Sequence, residues 1–113
     1  LEVCDCKVSA ENACGLLAGY PYICEAFDDP EAKAMLAEQV LLGLPQAYLI
    51  AGSGMAGWGD ADQIHTRRAG KRFFICGDEE TDIGDGTGLM APRVAVCAGH
   101  QANKVVQLIL QER

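Results

Sequence analysis

The chain has 113 residues, of which 50% are hydrophobic and 22% charged, with a net charge of −7. That length and composition give one globular domain with enough apolar side chains for a core. The negative balance argues against nucleic acid or an anionic membrane surface as partner. The longest apolar stretch, residues 90–110, is interrupted by Arg93, His100 and Lys104 and cannot span a bilayer.

In chain order, residues 1–8 alternate in polarity and read as a strand, which would put Cys4 and Cys6 on one face. Ser9 is a suitable N-cap for a short helix over residues 10–18, which Gly19 stops. Residues 22–27 are mostly apolar and read as a strand buried on both faces. The run Asp28-Asp29-Pro30-Glu31 starts a second helix, with a carboxylate cap and proline at the first helical position. Ala32, Met35, Leu36 and Val40 recur at helical spacing up to Gly43. Residues 46–51 read as another buried strand, and residues 63–68 and 72–76 as an antiparallel pair around Ala69 and Gly70. Residues 77–88 read as loop. A long helix follows over residues 89–111, with Pro92 in its first turn and apolar residues around most of its circumference. Such a helix is expected to be buried. Strand, helix, strand, helix, strand at these lengths means an α/β fold, parallel in its first part.

Six cysteines could form a disulfide framework, but Cys24 and Cys97 sit inside apolar runs and are expected to be buried thiols. No C-x-x-C pair offers zinc its usual spacing. A reduced, cytoplasmic protein is the expectation. Residues 52–57 match G-x-G-x-x-G after a strand, with Asp78 about twenty residues further on. A dinucleotide site needs the last glycine to open a helix, and the sequence after Gly57 has no apolar helical period. Asp78, Glu80 and Asp82 imitate the opening of a calcium loop, yet Ile83 and Leu89 stand where glycine and glutamate are required. His65 is expected to be exposed, and His100 to be a packing residue.

Asp28 and Asp29 carry more weight. They stand at the carboxyl end of a central strand, where open α/β sheets bind ligands. A carboxylate there can hold Mg²⁺ while phosphates supply other ligands. Either aspartate can equally serve as the helix N-cap, and the two roles are compatible.

Three blocks in order complete the reading: Cys24-Glu-Ala-Phe-Asp-Asp-Pro-Glu-Ala-Lys-Ala-Met-Leu36, Ser53-Gly-Met-Ala-Gly-Trp-Gly59, and Gly88-Leu-Met-Ala-Pro-Arg93 with His100-Gln-Ala-Asn103. Together they resemble the C-terminal half of a ThiF-family (ThiF/MoeB, ubiquitin-activating-like) sulfur-carrier adenylyltransferase, over essentially the whole chain. The resemblance implies the C-terminal part of a Rossmann-like, ubiquitin-activating-type fold: a mixed sheet with flanking helices, as a single partial domain over residues 1–113. It implies use of ATP and Mg²⁺ to adenylate the C-terminal glycine carboxylate of a ThiS-like, ubiquitin-fold carrier in thiamine biosynthesis, usually by a homodimer. Carried over by position, Asp28 is the Mg²⁺/ATP aspartate with Asp29 beside it. Gly54, Met55, Ala56 and Gly57 line the carrier-tail groove, residues 77–88 form a crossover loop above it, and Cys76 beside the loop is a candidate covalent relay.

The family's glycine-rich nucleotide loop, its phosphate-binding arginine and lysine, and its ribose-binding acid would all precede residue 1. Zinc is not expected, since the two C-x-x-C pairs of many relatives are missing here. The resemblance also places two further strands between that of residues 1–8 and that of residues 22–27. Residues 1–113 alone are therefore expected to have a gap in the sheet, to be marginal, rearranged or oligomeric, and to be inactive alone. The alternatives are a non-catalytic module that binds a carrier or other partner, and a dinucleotide-binding module using residues 52–57.

Overall fold

The computed structural model describes residues 1–111. Three helices, α1 (Ala13–Leu17), α2 (Pro30–Gly43) and α3 (Ala91–Gln111), flank four strands: β1 (Tyr22–Cys24), β2 (Tyr48–Gly52), β3 (His65–Gly70) and β4 (Phe73–Gly77). The sheet order is β1-β2-β4-β3. β1, β2 and β4 are mutually parallel, and β3 runs antiparallel along the outer side of β4. The expected mixed α/β sheet with flanking helices is the fold observed.

Strand periodicity divides the core between the two faces of the sheet. Leu49 points to one side with Ile23, Leu36, Val40 and Ala13, beneath α1 and α2. Its neighbour Ile50 points to the other with Phe74, Cys76, Cys97 and Leu108, beneath α3. Both faces of β2 are thus covered, as parallel strands require. A stacked row of Tyr22, Tyr48 and Phe74 crosses β1, β2 and β4, with centroids 5.8 and 6.4 Å apart. Lys104 lies 4.8 Å from the Phe74 centroid and adds a cation–π contact at the end of the row.

α2 matches its sequence signals. Asp29 is the N-cap, its carboxylate accepts from the Glu31 amide at 3.1 Å, and Pro30 opens the first turn. The C-terminal end closes with the Leu44 amide donating to the Val40 carbonyl. His65 is exposed, as expected. His100 is the satisfied packing residue expected, half-buried with its Nδ1 2.9 Å from the Thr66 hydroxyl.

Several expectations are corrected. Residues 1–8 are not a strand. No neighbouring strand pairs with them, and Leu1 and Val3 are exposed. The sheet consequently has no internal gap, and β1 is its edge. α1 is shorter than residues 10–18, since the Asn12 side chain accepts from the Ser9 amide and a turn precedes the helix. β1 stops at Cys24 rather than residue 27, where the Glu25 carboxylate turns back to accept from the Phe27 amide. Cys24 is exposed, not buried, because α3 lies chiefly over β2, β3 and β4. α3 is buried on one face only: Cys97 and Leu108 face the sheet while Val106, Ile109 and Leu110 are exposed. No described helix is long and apolar enough to cross a membrane.

Asp29→Ala should lower stability by about 1 kcal/mol through loss of the cap. Asp28→Asn next to it should leave stability within about 0.5 kcal/mol of the parent. Urea denaturation of the two variants checks the division of roles between these neighbours.

Candidate functional site

β1, β2 and β4 end on the same side of the sheet, at Cys24, Gly52 and Gly77. The segments leaving those ends enclose a cleft of about 420 Å³. Phe27 and Asp28 line it from β1, Ser53 and Met55 from β2, and Glu79 and Asp82 from β4. α3 closes the back through Val94, Ala98 and Gln101. This is where open α/β sheets place their ligands, at the carboxyl ends of parallel strands.

The floor is held by a buried carboxylate. The Glu25 side chain is 1% exposed and accepts three hydrogen bonds. Lys33 Nζ donates to it at 2.7 Å, the Phe27 amide at 3.0 Å and the Gly52 amide at 3.1 Å. Lys33 also donates to the Gly52 carbonyl at 2.8 Å. From α3, the Gln101 amide donates to the carbonyls of Glu25 and Ile50 at 2.9 and 3.1 Å. A buried charge persists only when paired and hydrogen-bonded in this way.

A second network holds the opposite wall. Arg93, 3% exposed in the first turn of α3, donates to the Ala56 carbonyl, the Asp60 carbonyl and Asp78 Oδ2. Its Nε is buried without a protein partner. Burial pushes the Asp78 carboxyl up, but the Thr81 and Glu80 amides, Arg93 and the Thr81 hydroxyl outweigh that push. The net result lies below the ordinary 3.8. Glu79, the one described non-glycine residue with positive φ (62°), is held by a two-pronged bond from Arg67 at 2.9 and 2.7 Å. That bond lowers its carboxyl below the ordinary range. The exits of β2 and β4 are also stitched together. The Asp78 amide donates to the Gly54 carbonyl and the Glu79 amide to the Ser53 carbonyl.

The two aspartates separate. Asp28 lines the cleft and Asp29 does not, being the α2 cap. Gly54, Met55 and Ala56 line the cleft, whereas Gly57 lies behind it with its amide donating to the Gly88 carbonyl at 2.7 Å. Cys76 is a correction. Its side chain is fully buried in β4 against the Thr66 hydroxyl at 3.5 Å, and it does not line the cleft. Burial raises its thiol above the ordinary value, against the smaller lowering influence of Thr66 and Lys104. A thiol so placed has neither the access nor the ionisation of a covalent relay. The dinucleotide reading fails as well. After Gly57 the chain bends into a 3₁₀ turn at Ala61–Gln63 and presents no helix N-terminus to a pyrophosphate. The sequence does not single out Glu25, Lys33, Arg93 or Gln101 as site residues. Glu25 and Arg93 each break an apolar run, which is the available signal, whereas Lys33 and Gln101 stand among other polar residues and carry none.

Among the described residues no three His, Cys, Asp or Glu side chains form a metal cage. Asp28 could serve as a single carboxylate ligand. Mg²⁺ is commonly bound that way, by one or two carboxylates with phosphates and water completing the shell. Lys33 is the only basic side chain among the described cleft residues, and Glu25 already engages it. Asp28, Glu79, Glu80 and Asp82 face it. The donor set fits a cation-bound phosphate at Asp28 and supplies no cradle for a free triphosphate.

The Asp78 carboxyl titrates lower in the folded state than in the unfolded chain. Its stabilisation is complete above the ordinary carboxylate range and is lost as pH falls through the native value. Asp78→Asn, which breaks a buried ion pair, should cost about 3 kcal/mol at neutral pH. It should also flatten the acid side of the stability profile. Urea midpoints measured from neutral pH down to about pH 3 test both effects.

No protein-family model matches the chain, and no curated protein matches it. Among solved structures, it is similar to the E. coli tRNA N6-threonylcarbamoyladenosine dehydratase TcdA, determined in complex with ATP. The TM-score is 0.68 at 18% sequence identity, covering 98% of this chain and 58% of that one. The chain therefore spans less than two thirds of that neighbour's length. At this identity the likeness establishes the fold: the chain has the Rossmann-type α/β architecture of part of that enzyme.

Proposed function

We propose that the chain is the carboxylate-activating part of an ATP-dependent adenylyltransferase. Its substrate in this reading is the C-terminal glycine carboxylate of a ThiS-like, ubiquitin-fold sulfur carrier, within a homodimeric cytoplasmic enzyme of thiamine biosynthesis. The observation that carries the proposal is the division of labour at the end of β1: Asp29 caps α2, and Asp28 is left at the lip of a cleft over the strand ends. The likeness to a structure determined with ATP supports the nucleotide.

ATP, when bound, supplies the adenylyl group that activates the carboxylate. The chain's own residues do the rest. Asp28 holds the Mg²⁺ that accompanies the phosphates, which an otherwise acidic cleft would repel. Gly54, Met55 and Ala56 line the groove for a narrow glycine tail, and the Glu25–Lys33 pair fixes that segment by binding both the amide and the carbonyl of Gly52. The tRNA named for the structural neighbour fits this chain less well. A net charge of −7 and a rim carrying Glu79, Glu80 and Asp82 oppose a polyanion.

Trp58, the sole tryptophan, is exposed two residues beyond the cleft-lining Ala56 and serves as a fluorescent reporter. ATP should change its emission only with Mg²⁺ present, and Asp28→Asn should weaken that response at least about tenfold, or about 1.4 kcal/mol. Equal binding without Mg²⁺, or undiminished binding by Asp28→Asn, would overturn the proposal. Binding of a Gly-Gly-ending carrier with no response to nucleotide would favour a non-catalytic carrier-binding module instead.

A further inference from the structure

Outside the cleft, two thiols meet near the start of the chain. Cys4 Sγ and Cys6 Sγ lie 3.4 Å apart, and both residues are exposed. Alternation along a strand is not what brings them together, since residues 1–8 are not a strand. A tight turn does so: the Cys6 amide donates to the Cys4 carbonyl at 3.2 Å, folding the backbone back across Asp5. The segment is tethered on both sides of the pair. The Tyr20 hydroxyl donates to Glu2 Oε2 at 3.4 Å, and Asn12 Nδ2 donates to the Lys7 carbonyl at 2.9 Å.

The other four cysteines are placed differently. Cys76 and Cys97 are buried, and Cys14 is half-buried with its thiol donating to the Gln39 carbonyl at 3.3 Å. Cys24 is exposed, but among the described residues no second thiol lies within hydrogen-bond distance of it, the buried Cys76 acting on it only at longer range. The pair alone combines access with a sulfur neighbour at near-contact distance.

We propose that Cys4 and Cys6 form a thiol-modification site that takes low-molecular-weight disulfides such as oxidised glutathione and converts to an internal Cys4–Cys6 disulfide. The step is a two-stage exchange. The Cys4 thiolate attacks one sulfur of the incoming disulfide, forms a mixed disulfide and releases one equivalent of reduced thiol. The Cys6 thiolate then attacks the Cys4 sulfur, closes the internal bond and releases the second equivalent. Two protein thiols are oxidised, one disulfide molecule is reduced to two thiols, and the two protein protons end on those thiols. The turn that sets Cys6 Sγ 3.4 Å from Cys4 Sγ keeps the second thiol beside the mixed disulfide once Cys4 has reacted. Cys6 is then well placed to resolve the mixed disulfide, since proximity makes the second attack intramolecular. Exposed disulfides of this kind are labile, so the site is reversible.

The whole chain, freshly reduced, is incubated with oxidised glutathione, alkylated under denaturing conditions and digested with trypsin. Cleavage after Lys7 releases residues 1–7 with both cysteines, while Cys24 lies in a separate peptide ending at Lys33. The expected product is the 1–7 peptide lacking two hydrogens and carrying no alkyl group, appearing before any glutathione on Cys24. Cys6→Ser should halt at glutathione on Cys4, and added reductant should reverse both products. A 1–7 peptide that stays doubly alkylated while Cys24 is modified would overturn the proposal, as would wild-type protein that keeps glutathione on Cys4. None of these readouts depends on nucleotide or carrier binding, so the outcome is independent of the adenylyltransferase reading.

Discussion

The Glu25 carboxylate is the constraint around which the cleft is built. Burying a charge costs several kcal/mol even after the surroundings relax, and removing its partner leaves that cost exposed. Here the partners come from three different elements: Lys33 from α2, the Gly52 amide from the end of β2, and the Phe27 amide from the turn that follows β1. None of these groups can shift far without stranding the charge. The ends of β1 and β2 and the first turns of α2 are thereby fixed relative to one another, and Gln101 extends the same tie to α3. Asp28 inherits its position from this frame, lying three residues beyond Glu25 and two before the start of α2.

How much of this was legible in the sequence depends on how local each cause is. α2 could be read almost to the residue, because its cap, its N-terminal proline and its apolar spacing lie within one segment. The β3–β4 pair was legible for the same reason, with ends displaced by one or two residues. The strand of residues 1–8 was misread because alternation records what a segment could pair with, and nothing in it states whether a partner lies alongside. The faces of α3 were misread for a related reason. Its buried stripe includes Arg93 and Gln101, whose acceptors lie up to 37 and 76 residues away in sequence. A polar side chain satisfied at that distance looks, in sequence, like an interruption of the core. In the structure it is the anchor. Cys24 shows the converse: an apolar neighbourhood in sequence says nothing about which strand becomes the sheet edge.

The cleft residues likewise divide between those legible by position and those that needed the fold. Asp28 and Gly54 to Ala56 follow from where strands end. The acidic wall of Glu79, Glu80 and Asp82 becomes a wall only because the exit of β4 lies beside that of β2. Its charge has a direct consequence for ligands. With Lys33 neutralised by Glu25 and Glu79 by Arg67, an approaching anion meets the carboxylates of Asp28, Glu80 and Asp82 and no free ammonium among the described cleft residues, and it must bring its own cation.

The glycines of residues 52–57 explain why a nucleotide fingerprint can appear without its function. Gly54 has φ of +84°, and a Cβ there would run into Asp78 and the Glu79 amide. Gly77 has φ of +138°, and a Cβ would strike the Ser53 carbonyl. Gly57, with φ of +76°, faces Thr87. Each glycine therefore lets one loop approach another, which is the same physical need that a pyrophosphate creates in a dinucleotide fold. The pattern reports close approach to a backbone and is silent about what approaches. Here the approaching group is the chain itself: the Asp78 and Glu79 amides bond the Gly54 and Ser53 carbonyls, and Arg93 holds Asp78 against them. The cleft wall is thus built from two interlocked strand exits, and its shape follows from glycine at positions 54 and 77.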